Sequence, residues 1–589
     1  MNKYNMRNFN AAVTYYKKKL GKIKNKNLIF IFDTTNFDAF LSMAPLSRAV
    51  HELGGDMNAI GREHHSKMMQ TLFNVWLIND DLKKKKVTKE TKALKAFIDE
   101  TSKKAKGFKK LLKKPEFIIK ATPEEFIGNI NMEFKTGWFK KHKWPLLQKT
   151  CDVIYDQVYN LKKGERVSVG FELLITKKEM EKPLEDYLDS YAISWSMMLA
   201  AKKRGPVSMG ATSPRFDMLK PMNRISDLRA TILGCELSKN INEPVFKKFK
   251  ALSKFIHSDR LKVADANFFI SGKGYPGKHL FGMSIGYPDP KKQTRWQSPG
   301  MFIYKLDYYP QTKLDSRKPM SRVGFTDTLP IDTFIRTCNI DWMEMKRKDD
   351  KLRAITEKSE KIIVKSNVKE KYQTNFEVGL MMPNGGHRWA RGSDVDIRHK
   401  INKDYLKRTG IVAGTMANLP GGEMFTTPEY LKGTIAGDVV ISIDQSYMLN
   451  HKDPLVIEAD KKGYKIIKGP KKIIKKFDEK KKQAWKMIKK QEQSKSIPKE
   501  ITDLKKANFN RIGEFAINTN PKAKLSGYLI VDEKIANMIH IAMGSGFEPD
   551  RATEYHTDVV INAKRQKLDI YGVKGKQKFW MLKKGKFVI

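Results

Sequence analysis

A short apolar run, a helical segment and a second strand-like run follow one another near the start of this chain. Asn27–Asp33 reads NLIFIFD, an uninterrupted apolar run typical of a buried strand. The next segment, FDAFLSMAPLSRAVHEL, has helical spacing broken only by Pro45, and Gly54-Gly55 predicts its end. DMNAIGR then predicts a second strand. This order is the beginning of a βαβ unit, so we expect a parallel sheet in an α/β fold.

The later sequence differs between its two halves. Strand-like and helical runs alternate as far as SRVGFTD, residues 321–327, and a helix is predicted over about 330–338. From Lys361 onward strand-like runs dominate, among them NFEVGLMM, DVVISID and DVVINA. The chain therefore predicts an α/β first half and a β-rich second half, with a boundary near residues 345–370.

Two lysine-rich segments interrupt this pattern, at residues 83–120 and 461–499. The first has amphipathic helical spacing, and the second contains a predicted helix over about 470–495. We interpret the first as an exposed helical insertion and the second as a lysine-rich helix that interrupts the strand-like runs. The apolar positions that define the first segment are Leu94, Phe97, Ile98, Phe108, Leu111 and Leu112.

The net charge has two interpretations. Lys and Arg together number 113 against 65 acidic residues, a net charge of +48. Such a charge suits nucleic acid, an anionic membrane surface or an acidic partner. However, Lys outnumbers Arg about four to one, and lysine reads bases less well than bidentate arginine. A compositional bias is thus the alternative, and nucleic acid or an anionic surface is a possible but not the favoured partner.

Cysteine use and hydropathy predict the compartment. Cys151, Cys235 and Cys338 are far apart, which argues against a disulfide framework or a cysteine–zinc module and fits a reducing cytosol. The first residues contain no apolar signal segment, and no run approaches the ~18 apolar residues of a membrane span. We therefore expect a cytoplasmic protein without a membrane span.

Two apparent motifs are judged to be decoys. Residues 272–278, GKGYPGK, match part of a phosphate-binding loop. His279 follows where Ser or Thr is required, and the next residues are not helical. The adjacent pair His64-His65 has no nearby residues that complete a metal-ligand set, and adjacent side chains point in different directions.

The last third of the chain contains five residues of metal-ligand type. His556 and Asp558 are two apart in a strand-like run, so they point to one face. Two histidines and three carboxylates on rigid elements could hold two divalent ions. The alternative is that each is a surface or capping residue, and spacing over more than 130 positions does not decide. The five residues are Glu423, Glu514, His540, His556 and Asp558.

The segments around these residues resemble a known family. NLPGGEMFTTP, residues 418–428, is similar to the NLP-GEVFTAP segment of the aminopeptidase T family of dinuclear metallopeptidases and its archaeal leucyl aminopeptidase relatives. EFAINTNP followed by DEKIANMIHIAMG resembles the next blocks, and His556–Ile561 resembles a closing H-x-D-x-x-I. The resemblance is ordered over about residues 320–565 and weak over the first 320.

The resemblance implies a fold and an activity. It implies a Rossmann-like N-terminal domain with basic helical insertions over residues 1–345, and a β-rich α+β catalytic domain over residues 346–589. It also implies that water activated by two ions (cobalt, zinc or manganese) releases N-terminal amino acids from peptides, within a homodimer. All five residues would be metal ligands, with Glu423 and Glu514 also catalytic. Which carboxylate bridges is left open. Together with the lysine bias, the resemblance favours a prokaryotic source, with an archaeon as one candidate.

One position departs from the family pattern. Family members commonly have a tyrosine seven residues after the first histidine, but this chain has Phe547, which has no hydroxyl to donate. Tyr555, beside His556, is expected to point to the opposite face. Loss of one oxyanion donor typically costs about a hundredfold or more in rate. Weak peptidase activity or another reaction is therefore considered.

Two alternatives follow. The related 2,5-dihydroxypyridine dioxygenases use a single Fe(II), and His540, His556 and Asp558 alone would make such a facial triad. The presence of Glu423 and Glu514 favours the two-metal hydrolase over this ring-cleaving enzyme. The second alternative is a catalytically weak basic scaffold that binds nucleic acid through its lysine-rich segments.

Overall fold

The computed structural model describes most of the second half of the chain and separate segments of the first. The described residues are 6–24, 27–33, 37–54, 56–62, 117–120, 144–165, 167–172, 183–205, 207–212, 230–233, 266–271, 303–305, 322–388, 390–392, 411–413, 416–494, 499–546, 548–551 and 553–589. The chain divides into two compact units, each built from several segments. The division predicted at residues 345/346 stays a prediction.

Helices and strands are numbered here in chain order. The described helices are α1 Met6–Leu20, α2 Phe37–Glu52, α3 Trp144–Val153, α4 Leu184–Lys202, α5 Ile331–Cys338, α6 Trp342–Lys358, α7 Lys471–Gln493, α8 Lys499–Ala507 and α9 Leu529–Asp532. The described strands are β1 Asn27–Asp33, β2 Asp56–Arg62, β3 Phe117–Lys120, β4 Val167–Glu172, β5 Val207–Thr212, β6 Ala230–Leu233, β7 Ala266–Ser271, β8 Ile303–Lys305, β9 Arg322–Asp327, β10 Lys361–Lys365, β11 Asn375–Gly379, β12 Ala390–Arg391, β13 Ile411–Ala413, β14 Met416–Asn418, β15 Glu423–Thr426, β16 Tyr430–Gly437, β17 Val440–Ser442, β18 Ser446–Met448, β19 Leu455–Ala459, β20 Tyr464–Lys468, β21 Ile512–Asn518, β22 Ile539–Gly544, β23 His556–Ile561, β24 Asp569–Lys574, β25 Gln577–Lys583 and β26 Lys586–Phe587.

The first unit contains a mostly parallel sheet. Its strands are hydrogen-bonded in the order β9-β7-β4-β5-β6-β2-β1-β3. β1 pairs in parallel with β2, as the opening of the sequence predicts. β1 also pairs in parallel with β3, and β5 pairs antiparallel with β6. The helix between β1 and β2 continues through Pro45. Its Phe40 ring lies 5.5 Å from Tyr191 and 5.3 Å from Trp195 of α4, forming a buried aromatic cluster.

The first lysine-rich segment is only partly described. Residues 117–120 are the strand β3, so the predicted helix over 83–120 is wrong at its end. β-branched isoleucines and a phenylalanine suit a strand better than a helix, and β1 offers them a parallel partner. Residues 83–116, with Leu94 through Leu112, lie outside the described residues, as do His64-His65 and the glycine-rich loop at 272–278.

The second unit contains two antiparallel sheets that share a hydrophobic core. One has the strand order β20-β19-β16-β11-β10-β24-β25-β26, and the other β12-β15-β21-β22-β23-β17-β18. The rings of Phe376 on β11 and Phe515 on β21 meet edge to face at 5.9 Å between the sheets. Asp341 caps α6 by accepting a hydrogen bond from the Glu344 backbone N–H. The second lysine-rich helix is observed as α7.

The molecule is therefore a mixed helix-and-sheet protein, consistent with the expected α/β class, and includes antiparallel sheets. The finer Rossmann-like assignment stays a prediction. Among the described helices, none has both the length and the apolar character needed to cross a bilayer.

Candidate metal centre

Three neighbouring strands of the seven-stranded sheet carry four of the five predicted ligands. Glu514 is on β21, His540 on β22, and His556 and Asp558 on β23. Ala542 of β22 pairs with Glu514 on one side and with Asp558 on the other. Residues that pair directly, or that lie two apart in a strand, point to one face of a sheet. The four side chains are therefore on the same face.

The fifth residue, Glu423, joins this face at the first position of β15. It pairs with Asn518 of β21, which is four residues beyond Glu514. Gly422, immediately before it, has φ of +120°, and a Cβ there would lie 2.8 Å from the backbone N of Asn520. Glycine is required at this turn because a side chain would be both strained and obstructed. The turn thereby aims Glu423 at the sheet face.

The opposite face of the same strands forms the core. Phe515, Ile541 and Val559 alternate with the polar residues and are fully buried in the hydrophobic cluster. On the ligand face, the positions between the polar side chains are small, Ala516 and Ala542. Alternation fixes the register, because a one-residue slip would exchange the two faces. The small alanines leave space between the ligand-type side chains.

The side chains form two groups that share one carboxylate. His540 Nε2 lies 3.5 Å from Glu514 Oε1 and 3.6 Å from Glu423 Oε2. His556 Nε2 lies 3.5 Å from Glu514 Oε2 and 3.0 Å from Asp558 Oδ1. Within each group the possible ligand atoms lie within 4.8 Å of one another. Both groups could hold a metal ion.

The histidine rings are oriented by their other nitrogen. His556 Nδ1 lies 2.8 Å from the backbone oxygen of Ser545, which can only accept, so this nitrogen carries a proton. His540 Nδ1 is 2.8 Å from Asn518 Oδ1 in the same way. In a neutral ring, each Nε2 is then an unprotonated donor of a lone pair. Histidines that bind metals are usually held like this, so the donor set fits divalent cations.

Charge gives a second test of that fit. Lys534 is almost fully buried, and its Nζ lies 2.7 Å from Glu423 Oε2 and 2.8 Å from Glu533 Oε1. With Glu514 and Asp558, four carboxylates face one ammonium, an excess of three negative charges when the imidazoles are neutral. Uncompensated charge is costly to bury. Added cations, or protons held by the imidazoles and the carboxyl groups, must balance it.

The pKa values of the site follow from this excess of carboxylates. Burial lowers the pKa of both histidines, but neighbouring carboxylates outweigh it and raise the pKa of His540 to about 9 and of His556 to about 10. Burial together with nearby carboxylates raises the pKa of Glu423 to about 7. Burial opposes ionisation of Asp558, but His556 more than compensates and lowers its pKa to about 2. Without cations, the site is expected to hold protons in their place.

An arginine network holds the connection between the two histidine strands. The guanidinium of Arg388, only 3% exposed, donates to Glu548 Oε2 at 2.9 Å, to Asp550 Oδ2 at 2.7 Å and to Glu429 Oε2 at 2.6 Å. Arg551 donates to the backbone oxygen of Pro428 at 2.8 Å. These bonds join the loop between β22 and β23 to the end of β15. They hold together the ends of the strands that carry the candidate ligands.

Several residues of this environment were not predicted from the sequence. Asn518 lies on the ligand face, and its even spacing from Glu514 within EFAIN could have identified it. Glu533 and Lys534 are a charged pair ahead of an apolar run, but no spacing rule places them beside Glu423. Tyr555 points into the core as expected, with its hydroxyl 2.6 Å from that of Tyr464. Phe547 lies outside the described residues.

Comparisons with known proteins add little. No protein-family model matches the chain, and no curated protein sequence matches it. Among solved structures, wild-type AmpT from Thermus thermophilus is similar, with 14% sequence identity and a TM-score of 0.39, over 77% of this chain and 100% of that one. A likeness of this size does not establish a shared fold, so the function proposed next depends on the residues of the site.

Proposed function

We propose that this protein is a metal-dependent aminopeptidase that releases N-terminal amino acids from peptides with two divalent ions, of cobalt, zinc or manganese. The position of Glu514 carries this proposal. Its Oε1 faces His540 Nε2 and its Oε2 faces His556 Nε2, each at 3.5 Å. A carboxylate shared in this way is suited to bridging two ions, as two-metal hydrolases require.

The other residues complete the two ion sites. Glu423 and His540 would hold one ion, and His556 and Asp558 the other. Bound ions would supply Lewis acidity at the scissile carbonyl and lower the pKa of water. Lys534 Nζ forms an ion pair with Oε2 of Glu423 and would orient that carboxylate.

The choice of an aminopeptidase over an endopeptidase rests on the resemblance of the sequence blocks around the site. Two divalent ions would more than offset the three excess negative charges of the buried carboxylates, so the charge of the site does not by itself select a free α-amino group. The homodimer, the cytoplasmic location and the Rossmann-like N-terminal domain remain predictions from the sequence.

The mononuclear Fe(II) dioxygenase is less well supported. Its facial triad would need His540, His556 and Asp558 around one ion. Among the described residues the ligand atoms instead form two groups, each including Glu514 and each containing only one histidine. This arrangement suits two ions better than one.

A substrate pair tests the proposal. Leu-p-nitroanilide should be hydrolysed when Co²⁺, Zn²⁺ or Mn²⁺ is supplied, and N-acetyl-Leu-p-nitroanilide should not, because its amine is capped. Glu514→Gln is the matched variant, since it keeps the shape and removes the charge. Equal hydrolysis of the two substrates, or full activity of Glu514→Gln, would contradict the proposal. Oxygen consumption with Fe(II) and a dihydroxypyridine would instead support the dioxygenase.

One observation supports the nucleic-acid alternative as a second candidate. Five exposed lysines lie within about 60° of one another around the axis of α7, given ~100° per residue. A row of cations of this kind can follow a phosphate backbone. Binding of duplex DNA or RNA that weakens steeply with salt, and is lost when these lysines become glutamine, would support it. The five are Lys471, Lys475, Lys482, Lys486 and Lys489.

A further inference from the structure

We infer that Lys480, on the inner side of the basic helix α7, is a positioning residue for His556. The inference rests on the proposed metal site. Lys480 Nζ donates to the backbone oxygen of His556 at 2.8 Å and to that of Ile443 at 2.8 Å. The lysine-rich helix is therefore attached to the residue that begins β23, and it does more than cover the surface.

The two backbone oxygens lie at a junction of strands. β17 and β23 pair at Val440–Val560 and Ile441–Val559. Ile443 and His556 lie beyond these pairs, and Lys480 joins the two chain segments there with one ammonium group. Hydrogen bonds from a charged donor are stronger than those between neutral groups. Lys480 therefore extends the connection between the strands up to His556.

Residues 553–556, which lead into β23, are held by the helices α7 and α8. Thr553 Oγ1 donates to the backbone oxygen of Lys505 on α8 at 2.7 Å. Glu554 forms a buried ion pair with Lys505 and accepts a hydrogen bond from Gln491 of α7 at 3.0 Å. Together with Lys480, these contacts hold the chain at three positions between 553 and 556.

Tyr555 supplies a further contact in that segment. Its ring meets Phe477 of α7 edge to face at 6.0 Å and Phe509 at 5.1 Å. Its hydroxyl bonds to Tyr464 and to the backbone oxygen of Phe509. Each residue from 553 to 556 thus contacts α7, α8 or the residues next to them. Only at His556 is the contact a side-chain ammonium bound to the backbone of a candidate ligand.

His556 consequently has two anchors. Its Nδ1 is bonded to Ser545, which sets the direction of the ring, and its backbone oxygen is bonded to Lys480. Metal ligands must be held within about 0.5 Å of the productive geometry. Loss of an outer partner of a ligand typically costs about 10- to 100-fold in metal affinity or activity. Loss of the Lys480 bond should have an effect of this size.

The effect should be limited to one ion. His556 belongs to the group with Glu514 and Asp558, whereas His540 belongs to the group with Glu423 and Glu514. Lys480 contacts the backbone of the first group. A variant that lacks the Lys480 ammonium should therefore bind one ion less tightly and bind the other with near wild-type affinity. General damage to the fold would lower the affinity for both ions.

The experiment is a Co²⁺ titration of the full chain, competed with a chelator, alongside thermal unfolding of the metal-free protein. Lys480→Met removes the ammonium and keeps an unbranched side chain that is one atom shorter. Lys472→Met is the matched control, because Lys472 is an exposed lysine eight residues earlier on the same helix. We expect the wild type and Lys472→Met to bind two ions. In Lys480→Met, one ion should bind as in the wild type and the other about 10- to 100-fold more weakly.

A conservative variant guards against misfolding. Lys480→Arg keeps a cationic donor and should bind both ions, even if Lys480→Met is unstable. Two ions of wild-type affinity in Lys480→Met, or equal weakening of both ions, would overturn the inference and leave the proposed function standing. Loss of one ion in Lys480→Arg as severe as in Lys480→Met would also overturn it. A wild-type protein that binds no divalent ion would remove the proposed function itself.

Discussion

Glu514 and Asp558 lie in register on either side of the central strand β22, and each pairs with Ala542. Paired positions on neighbouring strands have Cβ atoms about 4.5–5.5 Å apart, so the two carboxylates stand on either side of a single methyl group. The size of residue 542 therefore determines the space between them. The second group of possible ligands, Glu514, His556 and Asp558, adjoins that space.

Filling this space should block metal binding without changing the strands. Ala542→Leu adds a branched side chain on the ligand face, and Ala542→Ser adds only a hydroxyl. We expect the leucine variant to lose at least the ion of the His556 group, and the serine variant to keep both. Co²⁺ stoichiometry measures this directly, and circular dichroism should show that the strands persist. Two ions in Ala542→Leu would mean that the ions are bound elsewhere.

Substitution of the ligands should distinguish the shared carboxylate from the others. Glu514→Gln removes a charge common to both groups, so the affinity for both ions should decrease. His540→Ala should lower the affinity for the ion of the His540 group, and Asp558→Ala that for the ion of the His556 group. Each substitution should abolish turnover because the reaction needs both ions. Metal content after gel filtration and Leu-p-nitroanilide turnover test this. Full metal content and full turnover in either alanine variant would show that the site is wrongly assigned.

The stability of the metal-free protein should fall with rising pH. The pKa values of His540 and His556, about 9 and 10, lie above the usual value of about 6.5. The folded state thus binds these protons more tightly than the unfolded chain. Their stabilisation is complete below about pH 6 and is lost as the pH rises through about 9 and 10.

Thermal unfolding in EDTA between pH 7 and pH 10 tests this expectation. The melting temperature should decrease over the range, and a variant with both histidines changed to asparagine should decrease less, because other groups titrate there too. Metal binding at pH 7 should also release protons, so the apparent affinity for Co²⁺ should rise with pH. Equal pH dependence in the wild type and the double variant would contradict the raised pKa values of the two histidines.

The arginine network should contribute more to stability than surface ion pairs do. Arg388→Met removes the buried cation that contacts both Glu548 and Glu429, and removal of one partner of a buried pair costs about 3–5 kcal/mol. Arg353→Met is the control, since the pair with Glu357 is exposed and such pairs contribute about 0–1 kcal/mol. Urea unfolding compares the two. A similar loss in both variants would mean that the network is not stabilising.

Local patterns accounted for much of the fold. The runs NLIFIFD and SRVGFTD became β1 and β9 because apolar and β-branched residues favour strands wherever a partner strand is available. The i, i+2 spacing of His556 and Asp558 correctly predicted one face of one strand. The helical prediction failed at residues 117–120, because lysines nearby suggested an amphipathic helix and the pairing with β1 is not visible locally.

Long-range contacts could not be predicted in this way. Nothing in the spacing places Lys480 beside His556, 76 residues away, or Lys534 beside Glu423, 111 residues earlier. Both contacts depend on strand order, and strand order depends on how the whole sheet packs. Asn518 was closer to being predicted, because it shares a strand face with Glu514 and alternation alone would reveal it.

The most direct test of the two-metal account is the metal content per chain after purification without chelator, measured together with turnover of Leu-p-nitroanilide in added Co²⁺, Zn²⁺ or Mn²⁺. The account predicts close to two ions per chain and hydrolysis that stops when the ions are removed and returns when they are restored. One iron per chain without hydrolysis, or no bound metal at all, would contradict it.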